Sequence, residues 1–447
     1  MTPSQGVISP NSAPLSWPDR LARRVVIRHL ENLRRGRLTV IEADGQSVFG
    51  EPADLDATLA IHRARFFRKA VLGGSLALAE SYLRSDWDCD DLTRLLRIFA
   101  RNRTTAYRFD SGFARLTRWV QQLGHWCRAN TRRRSRSNIS AHYDLGNDFF
   151  RLWLDDTMAY SSGIFVSPAS SLHDASIEKF DRVCRKLDIR VGDRVLEIGT
   201  GWGGFAMHAA ANYGCHVTTT TISREQFHVA NDRIHRAGLA GQVTLLQQDY
   251  RDLRGQYDKL VSIEMIEAVG HQYLDAYFRQ CSQLLRPDGS MLLQAIVMPE
   301  QGYEQYIRSV DFIQHYIFPG GCLPSLGTIL AAIGRVSDLR FRQAEDYASH
   351  YAETLRCWRR NFHEQQDVIM RLGYPERFMR MWHYYLCYCE AAFEERCTGV
   401  LQIQFDKPER RPAAIEIKHR VASQSLYAEP TRPPRSWVEH TSSSQGV

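Results

Sequence analysis

The sequence predicts an α/β fold in which helices cover both faces of a mostly parallel sheet, preceded by a smaller, mainly helical α+β domain. Two observations support this fold class. Between residues 193 and 298, short apolar runs rich in β-branched residues alternate with helix-like stretches, which is typical of parallel sheets. The first run ends in a glycine-rich turn that leads straight into a helix, as in sheets that bind a ligand at the carboxyl ends of their strands.

Length and composition exclude several classes of protein. The 447 residues are 44% hydrophobic and 24% charged, which is typical of a globular chain with two or three domains. No apolar run reaches the roughly 18 residues of a bilayer-spanning helix, and the first residues lack the pattern of a secretory signal. The ten cysteines show no CxxC pair and no zinc-type spacing, so we expect reduced thiols in a cytosolic protein and no metal site.

The basic residues are dominated by arginine. The formal net charge is +7, and 51 of the 57 basic residues are arginines. Guanidinium groups pair well with phosphate, which predicts a polyanionic partner, either nucleic acid or an anionic membrane surface. Composition alone leaves both partners open, together with the interpretation that the charge only favours solubility.

Changes in composition along the chain predict five segments. The termini are rich in Pro and Ser and we expect both to be disordered. Between them we expect two folded blocks joined by an arginine-rich linker. The predicted segments are a tail at 1–16, an N-terminal lipid- or substrate-presenting domain at 17–125, a basic linker at 126–137, a catalytic domain at 138–408 and a second tail at 409–447.

In the first block, a basic amphipathic helix is predicted at 19–34 and a hairpin around Asp44–Gly45. Helices are predicted near 57–84 and 90–100, with an interruption at Gly73–Gly74. No residues in this block are spaced as catalytic residues are. We therefore expect the block either to present lipid or substrate or to have only a packing role.

In the second block, the strands and helices are predicted from apolar runs and helical periodicity. The predicted strands are 193–199, 216–222, 242–249, 258–266 and 289–298. A helical stretch at 300–335 and two long helices near 350–366 and 375–396 follow. The segment VLQIQFDK closes the block as a predicted edge strand.

The strongest local motif is the turn Gly199-x-Gly201-x-Gly203, which follows a buried strand. Glycines there let the backbone turn sharply and approach a ligand. With Glu197 two residues before the first glycine, the motif resembles the first motif of class I S-adenosylmethionine (AdoMet) methyltransferases. The resemblance implies a Rossmann-like, seven-stranded, mostly parallel sheet. The second strand ends in Thr and Ser, not in the Asp or Glu that binds the ribose in many such domains.

Residues 138–405 resemble the cyclopropane fatty acid synthases and the mycolic acid cyclopropane synthases and methyltransferases. Ordered segments carry the match: NISAHYDLGNDFF, MAYS, EIGTGWGG, TTISREQ, QQDYRDL, IEMIEAVG and YIFPGGCLPS. In the first block, ESYLRSDWDCDDL resembles the phospholipid-acting members. The resemblance implies AdoMet as cofactor, bound by Tyr160, Ser161, Glu197, Gly199, Gly201, Trp202, Gly203, Thr221, Ser223, Gln226, Asp249 and Tyr250.

The implied reaction is transfer of the AdoMet methyl(ene) group to the cis double bond of unsaturated acyl chains in membrane phospholipids. The alkene attacks the methyl group, a carbocation forms on the chain, and loss of a proton closes a cyclopropane ring. Such a site must be dry, stabilise positive charge and hold one base. Aromatic faces suit a cation, and the candidates are Tyr160, Tyr316, Phe318 and Tyr351. We expect the segments 300–335 and 375–396 to form the acyl tunnel.

The resemblance implies that the base is a bicarbonate ion held by a polar cluster. The matching residues are Glu267, Tyr351, Ser162, Gln294 and, through its backbone, Ile296. Ser162 stands where cysteine is common, and Gln294 where histidine is common. Both can donate hydrogen bonds, but neither carries a proton as imidazole does. These departures leave open a methylene- or methyl-branched product, or a lipid-binding relative without activity.

The resemblance also selects among the polyanionic partners. It favours a cytoplasmic enzyme associated peripherally with the inner face of the membrane, through arginine-rich segments at 20–37, 63–69 and 128–136. It implies a homodimer. No nucleic-acid partner is expected, because the chain lacks an N/D-P-P-Y motif and an RNA-binding module. A nucleic-acid or small-molecule methyltransferase is the second hypothesis.

Overall fold

The structure, a computed structural model, describes residues 16–102 and 146–411. The predicted basic linker, its arginines at 128–136, most of both predicted tails, and the segment 138–145 lie outside these ranges. Within the described ranges, we find no helix that is long and apolar enough to cross a membrane.

Residues 16–102, for which we keep the predicted name N-terminal domain, contain a four-stranded sheet with the strand order β2-β1-β3-β4. β1 and β2 form the predicted hairpin, whose register closes at Glu42 and Gly45. β1 and β3 run parallel. The elements are α1 (Trp17–Leu30), β1 (Gly36–Glu42), β2 (Gly45–Glu51), β3 (Asp56–Ile61), α2 (Arg65–Leu83), β4 (Trp87–Cys89) and α3 (Leu92–Arg101).

Two predictions for this domain had different outcomes. The helix predicted from residue 57 is wrong at its start, because Asp56–Ile61 is a strand paired on both sides, with β1 and β4. Sheet pairing overrides local helical propensity there. The interruption at Gly73–Gly74 is confirmed, since Gly74 has φ +59° inside α2, a conformation that glycine adopts without steric cost.

The second sheet has seven strands in the order β10-β11-β9-β8-β5-β6-β7. The five strands from β9 to β7 are parallel, and β11 and β10 are antiparallel to their neighbours. This confirms the predicted fold class. The strands are β5 (Arg194–Ile198), β6 (His216–Thr220), β7 (Val243–Leu246), β8 (Tyr257–Ile263), β9 (Leu285–Val297), β10 (Arg340–Asp346) and β11 (Gly399–Asp406).

The predicted edge strand VLQIQFDK is β11, but it does not lie at the edge. β10 lies outside it, and that strand was not predicted from the sequence. The sequence of β10, RFRQAED, is mostly polar and is exposed throughout, so it lacks the alternation by which strands are recognised. Its pairing with β11 is a property of the assembled sheet.

Helices cover both faces of this sheet. α5 begins with a capping box formed by Ser171 and Asp174, which satisfies free N–H groups of its first turn. The helices are α4 (Asn147–Arg151), α5 (Leu172–Leu187), α6 (Gly204–Tyr213), α7 (Arg224–Arg236), α8 (Leu274–Leu284), α9 (Glu300–Tyr306), α10 (Leu326–Val336), α11 (Ala348–Glu364), α12 (Gln366–Arg371) and α13 (Glu376–Glu394).

The apolar core consists of three clusters of buried side chains. Two clusters of buried side chains lie on the two sides of the seven-stranded sheet. A third cluster joins the N-terminal domain to α4, α11 and α13. It contains buried aromatic residues of both parts, among them Phe67, Phe149, Trp153, Trp358 and Trp382. The N-terminal domain therefore packs directly on the helices that follow the sheet.

Candidate active site

A cavity of about 1000 Å³ extends along the carboxyl ends of β5, β6 and β8 and continues to the N-terminal domain. At the strand ends its wall is polar and includes the glycine turn. Further along, the wall is formed by apolar side chains of the N-terminal domain and of α13. Ligands of parallel α/β sheets bind at this edge, so the cavity is the candidate active site.

The glycine turn forms the polar end of the cavity. Gly199 has φ +105° and Gly203 has φ +89°, both in the left-handed region that favours glycine. A Cβ atom on Gly199 would lie 3.2 Å from the side chain of Met265. The turn is held in place by Thr220, whose carbonyl accepts hydrogen bonds from the N–H groups of Gly199 and Thr200 at 3.1 and 3.0 Å.

Glu197 lies under this turn and is 3% exposed. Its Oε2 accepts a hydrogen bond of 2.5 Å from the Thr219 hydroxyl, and burial raises the pKa of Glu197 to about 8. Trp202 is fixed by its Nε1, which donates to Asn147 Oδ1 at 2.7 Å. Both side chains are thus held in single orientations at the cavity wall.

The Thr and Ser residues after the second strand position an amide. The Thr221 hydroxyl donates to Gln226 Oε1 at 2.9 Å, and Ser223 caps the helix that carries Gln226. After the third strand, Asp249 accepts two hydrogen bonds from Arg251 at 2.8 and 2.6 Å. The cradle fits AdoMet, because close-approach glycines, a buried carboxyl group and an oriented amide meet at one cavity wall.

The carboxylate of Glu264 is the centre of a second polar cluster. It accepts hydrogen bonds from the Ser162 backbone N–H at 2.9 Å, from Gln294 Nε2 at 2.7 Å and from the Tyr351 hydroxyl at 2.7 Å. Burial raises the pKa of Glu264, and these three hydrogen bonds and the charge of Lys179 oppose that rise. Three of the residues predicted to hold an anion therefore converge on a carboxylate of the chain itself.

Glu267 lies beside this cluster with fewer partners. Its Oε1 accepts a hydrogen bond of 2.6 Å from the backbone N–H of Ile296. Its Oε2 is buried without a hydrogen-bond partner among the described residues. Burial, with the nearby charge of Glu264, raises the pKa of Glu267 to about 8. The raised pKa favours the protonated form of this carboxyl group near neutral pH.

The orientation of Gln294 is determined by a chain of hydrogen bonds. Lys186 donates to Gln402 Oε1 at 2.8 Å, and Gln402 Nε2 donates to Gln294 Oε1 at 2.9 Å. Since lysine can only donate, each amide in turn must accept with its oxygen and donate with its nitrogen. Gln294 therefore presents its NH2 group, not its oxygen, to Glu264.

Lys179 lies two helical turns from Lys186 on α5 and is fully buried. Its Nζ donates to the Ser161 hydroxyl at 2.7 Å. Burial lowers the pKa of Lys179 to about 8, and Glu264 and Asp155 oppose that change. The site thus has a buried cation behind its carboxylates.

Aromatic rings surround the space next to the carboxylates. The Tyr160 hydroxyl is 2.8 Å from that of Tyr385, and the Tyr160 ring lies 5.3 Å from Trp358 and 6.2 Å from Phe318. The predicted candidates Tyr160, Phe318 and Tyr351 line the cavity. Tyr316 does not, because its hydroxyl donates to Glu80 of the N-terminal domain at 3.3 Å.

The apolar part of the cavity includes the predicted segments 300–335 and 375–396, and the N-terminal domain adds to them. The residues contributed by that domain include Val26, Leu30, Leu59, Phe66, Leu76, Leu95, Leu96 and Phe99. From α13, Tyr385, Cys389 and Phe393 line the cavity, while Phe378, Met381 and Trp382 lie in the core.

The structure brings most predicted site residues to one cavity. The residues that line it are Tyr160, Ser161, Glu197, Gly199, Gly201, Trp202, Thr221, Gln226, Asp249, Tyr250, Glu267, Ile296 and Tyr351. Ser162, Gly203, Ser223 and Gln294 lie behind these residues. Glu264, Lys179 and Gln402 were not among the predicted site residues. Glu264 had a signal, an acidic residue directly after the apolar run of β8 in the segment IEMIEAVG.

Comparisons with known proteins agree with this geometry. The family model described as mycolic acid cyclopropane synthetase matches residues 130–403. Tuberculostearic acid methyltransferase UfaA1 of Mycobacterium tuberculosis is 37% identical over 410 residues, 89% of this chain and 92% of that protein. The cyclopropane-fatty-acyl-phospholipid synthase of Escherichia coli K12 is 36% identical over 361 residues, 78% of this chain and 88% of that protein.

Solved structures show the same relationship. The cyclopropane synthase MmaA2 from Mycobacterium tuberculosis has a TM-score of 0.57 and 27% identity, covering 61% of this chain and 98% of that one. The mycolic acid cyclopropane synthase CmaA1, complexed with SAH and CTAB, has a TM-score of 0.57 and 29% identity with the same coverage. The predicted resemblance is confirmed: the chain belongs to the mycolic acid cyclopropane synthetase family of AdoMet-dependent methyltransferases, whose members methylate or cyclopropanate lipid acyl chains.

Proposed function

We propose that the chain transfers the methyl group of AdoMet to the cis double bond of an unsaturated acyl chain in a membrane phospholipid, and that the product is a cyclopropane ring. One observation carries this proposal. A single cavity joins the glycine turn, the buried carboxylates and an apolar wall. A cofactor, a base and an acyl chain can therefore meet in one space.

AdoMet supplies the methyl group, and residues of the glycine turn, with Glu197, Gln226 and Asp249, would hold it. The remaining residues manage the charge that develops on the acyl chain. The rings of Tyr160, Phe318 and Tyr351 line the cavity, and aromatic faces favour a cation. The buried, apolar wall excludes the water that would otherwise add to it.

A carboxylate then removes a proton from the transferred methyl group. If the electron pair of that C–H bond closes on the cationic carbon, the product is a cyclopropane ring. If a hydride has first shifted along the chain, the same pair forms an exocyclic double bond. The methylene branch is thus the second candidate product, and a methyl branch would follow only if a separate hydride donor reduced that double bond. A branched product is favoured by the 37% identity over 89% of the chain to a tuberculostearic acid methyltransferase.

The surface of α1 supports a peripheral contact with an anionic membrane. Trp17 and Leu21 are 70% and 50% exposed, and Arg24 and Arg28 continue the same exposed stripe at helical spacing. Neither arginine forms an ion pair with a described residue. Basic residues near an anionic surface contribute about 1 kcal/mol each to binding. The homodimer and the absence of a nucleic-acid partner stay predictions.

The test is incubation of the full chain with methyl-labelled AdoMet and vesicles of an unsaturated phosphatidylglycerol, followed by mass spectrometry and proton NMR of the released fatty acids. We expect label in the fatty acid and the upfield proton signals of a cyclopropane ring. Olefinic methylene signals would instead identify the methylene-branched fatty acid as the product. Label in added nucleic acid, with none in lipid, would contradict the proposal.

A further inference from the structure

We propose that the carboxylate of Glu264 is the base that removes the proton in this reaction, and that it takes the place of the bicarbonate ion that the resemblance implies. The inference rests on the proposed function, since it assigns a residue to one step of that reaction. It is carried by the geometry around Glu264, which lines the same cavity as the glycine turn.

The donors expected to hold an anion are already used by Glu264. The Ser162 N–H, the Gln294 amide and the Tyr351 hydroxyl lie 2.7–2.9 Å from its two oxygens. A free anion would have to displace this side chain to reach the same donors. Glu264, a side chain of the protein itself, therefore supplies the proton acceptor that such a site requires.

Two of the three donors, the Ser162 N–H and the Gln294 amide, cannot become acceptors. The backbone N–H of Ser162 has no lone pair to offer. Gln294 is fixed with its NH2 toward Glu264 by the hydrogen bonds that run from Lys186 through Gln402. Donors that can only donate favour the ionised form of the carboxyl group they contact. The surroundings thus keep Glu264 ready to accept a proton.

The two neighbouring carboxyl groups are unequal. Glu264 accepts three hydrogen bonds, whereas Glu267 accepts one and keeps a buried oxygen without a partner among the described residues. Two adjacent carboxyl groups do not both ionise easily in a buried site. The proton that the pair retains belongs on Glu267, which leaves Glu264 as the base.

The backbone of Glu264 points to a special role. Its φ is +49°, a left-handed conformation that costs a residue with a side chain about 1–2 kcal/mol. Its N–H donates to the Gln294 carbonyl at 2.8 Å, so the strain is held by the adjacent strand. Such strain persists where the surroundings impose it, and it concentrates at active sites.

The proposed step balances in atoms and electrons. A C–H bond of the transferred methyl group breaks, and the proton binds to an oxygen of Glu264. The electron pair of that bond forms the new carbon–carbon bond to the cationic carbon and neutralises it. The protonated Glu264 then loses its proton to solvent once the product has left.

The experiment compares the full chain with Glu264→Gln and Glu264→Gly in buffers freed of carbon dioxide, with and without added bicarbonate. The matched control is Asp188→Gly, an acidic residue at φ +52° that does not line the cavity. AdoMet binding by calorimetry and thermal unfolding are measured with lipid-methylation activity. Glycine is chosen because it relieves the strained φ and leaves space for an ion.

We expect the activity of the wild-type protein to be indifferent to bicarbonate, and that of Glu264→Gln to fall by about 100-fold or more with AdoMet binding unchanged. We expect bicarbonate to raise the unfolding temperature of Glu264→Gly and to restore part of its activity. Bicarbonate should not change the unfolding temperature of the wild-type protein or of Asp188→Gly.

Loss of wild-type activity on removal of bicarbonate would overturn the inference, as would full activity of Glu264→Gln. So would a Glu264→Gly protein whose unfolding temperature does not respond to bicarbonate. A wild-type protein that methylates no lipid would refute the proposed function instead. The response of the unfolding temperature needs no turnover, so the two failures are distinguishable.

Discussion

The two ends of the cavity are built in different ways. At the cofactor end, most of the wall comes from strand ends and turns within 197–251, a short part of the chain, and Tyr160 and Ser161 add to it. At the acyl end, it comes from the N-terminal domain, from 298–323 and from α13, which only the tertiary fold brings together. Chemistry that needs close backbone approach is encoded locally, whereas a surface that only needs to be apolar can be assembled from distant segments.

The carboxylate cluster lies between these ends and shares features of both. Glu264 and Glu267 follow one strand, so the sequence places them together. Their donors come from Ser162, Gln294 and Tyr351, which are 102, 30 and 87 residues away from Glu264. The difference between the two carboxyl groups is therefore tertiary in origin.

The largest effect is expected from a change at the cofactor end. In Gly199→Val, a side chain would meet Met265 at 3.2 Å or less and would have to adopt φ +105°, which is strained for any residue but glycine. We expect the Kd for AdoMet, measured by calorimetry, to rise by about 100-fold. Gly241→Val is the control, because a Cβ at Gly241 meets nothing within 4 Å. Equal AdoMet binding by Gly199→Val and Gly241→Val would contradict the inference that the glycine turn forms the cofactor site.

A change at the acyl end is expected to affect turnover without cofactor binding. Ala100→Trp fills the cavity where α3 lines it, so we expect the rate with a long-chain phospholipid to fall by about 10-fold, or about 1.4 kcal/mol. The Kd for AdoMet should stay the same. Ala77→Trp is the control, since Ala77 is also half-buried in this domain but does not line the cavity. Unaltered kinetics of Ala100→Trp would show that the acyl chain lies elsewhere.

The carboxyl group of Glu267 is expected to make stability depend on pH. Its pKa is raised from an ordinary 4.5 to about 8 in the folded protein, so between these values the folded state holds more protons than the unfolded state. The free energy of unfolding therefore falls as pH rises through this window. Glu267→Gln removes that contribution and should gain stability over the wild type by about 1 kcal/mol or more at pH 9.

The measurement for this variant is urea unfolding of both proteins at pH 5 and pH 9. The difference between them should grow toward the higher pH. Glu197, whose pKa is also raised by burial, contributes equally to both proteins and cancels. A constant difference would mean that Glu267 is already ionised at the lower pH.

The smallest effect is expected at the surface of α1. Arg24→Gln removes one exposed charge and should weaken binding to anionic vesicles by about 1 kcal/mol, roughly fivefold, at low salt. Arg340→Gln is the control, because Arg340 is exposed on β10, far along the chain from α1. Sedimentation with anionic and with neutral vesicles measures both. If the protein bound neutral vesicles in high salt as well as it binds anionic vesicles, charge would not contribute to membrane binding.

Much of the fold was predictable because apolar periodicity records which face of an element is buried. The five parallel strands and the glycine turn were found in this way. β10 was not, since its polar residues carry no such pattern, and the helix predicted from residue 57 was wrong because pairing with β1 and β4 decided its conformation.

The candidate site also has parts that were predictable from the sequence and parts that depend on the tertiary fold. The glycine turn and the family motifs were predictable from the sequence alone, because glycines at fixed spacing and ordered polar segments reflect local geometry. The tertiary fold brings Ser162, Gln294 and Tyr351 together at Glu264 and buries Lys179 behind them. A hydrogen bond depends on distance in space, and separation along the chain does not record it.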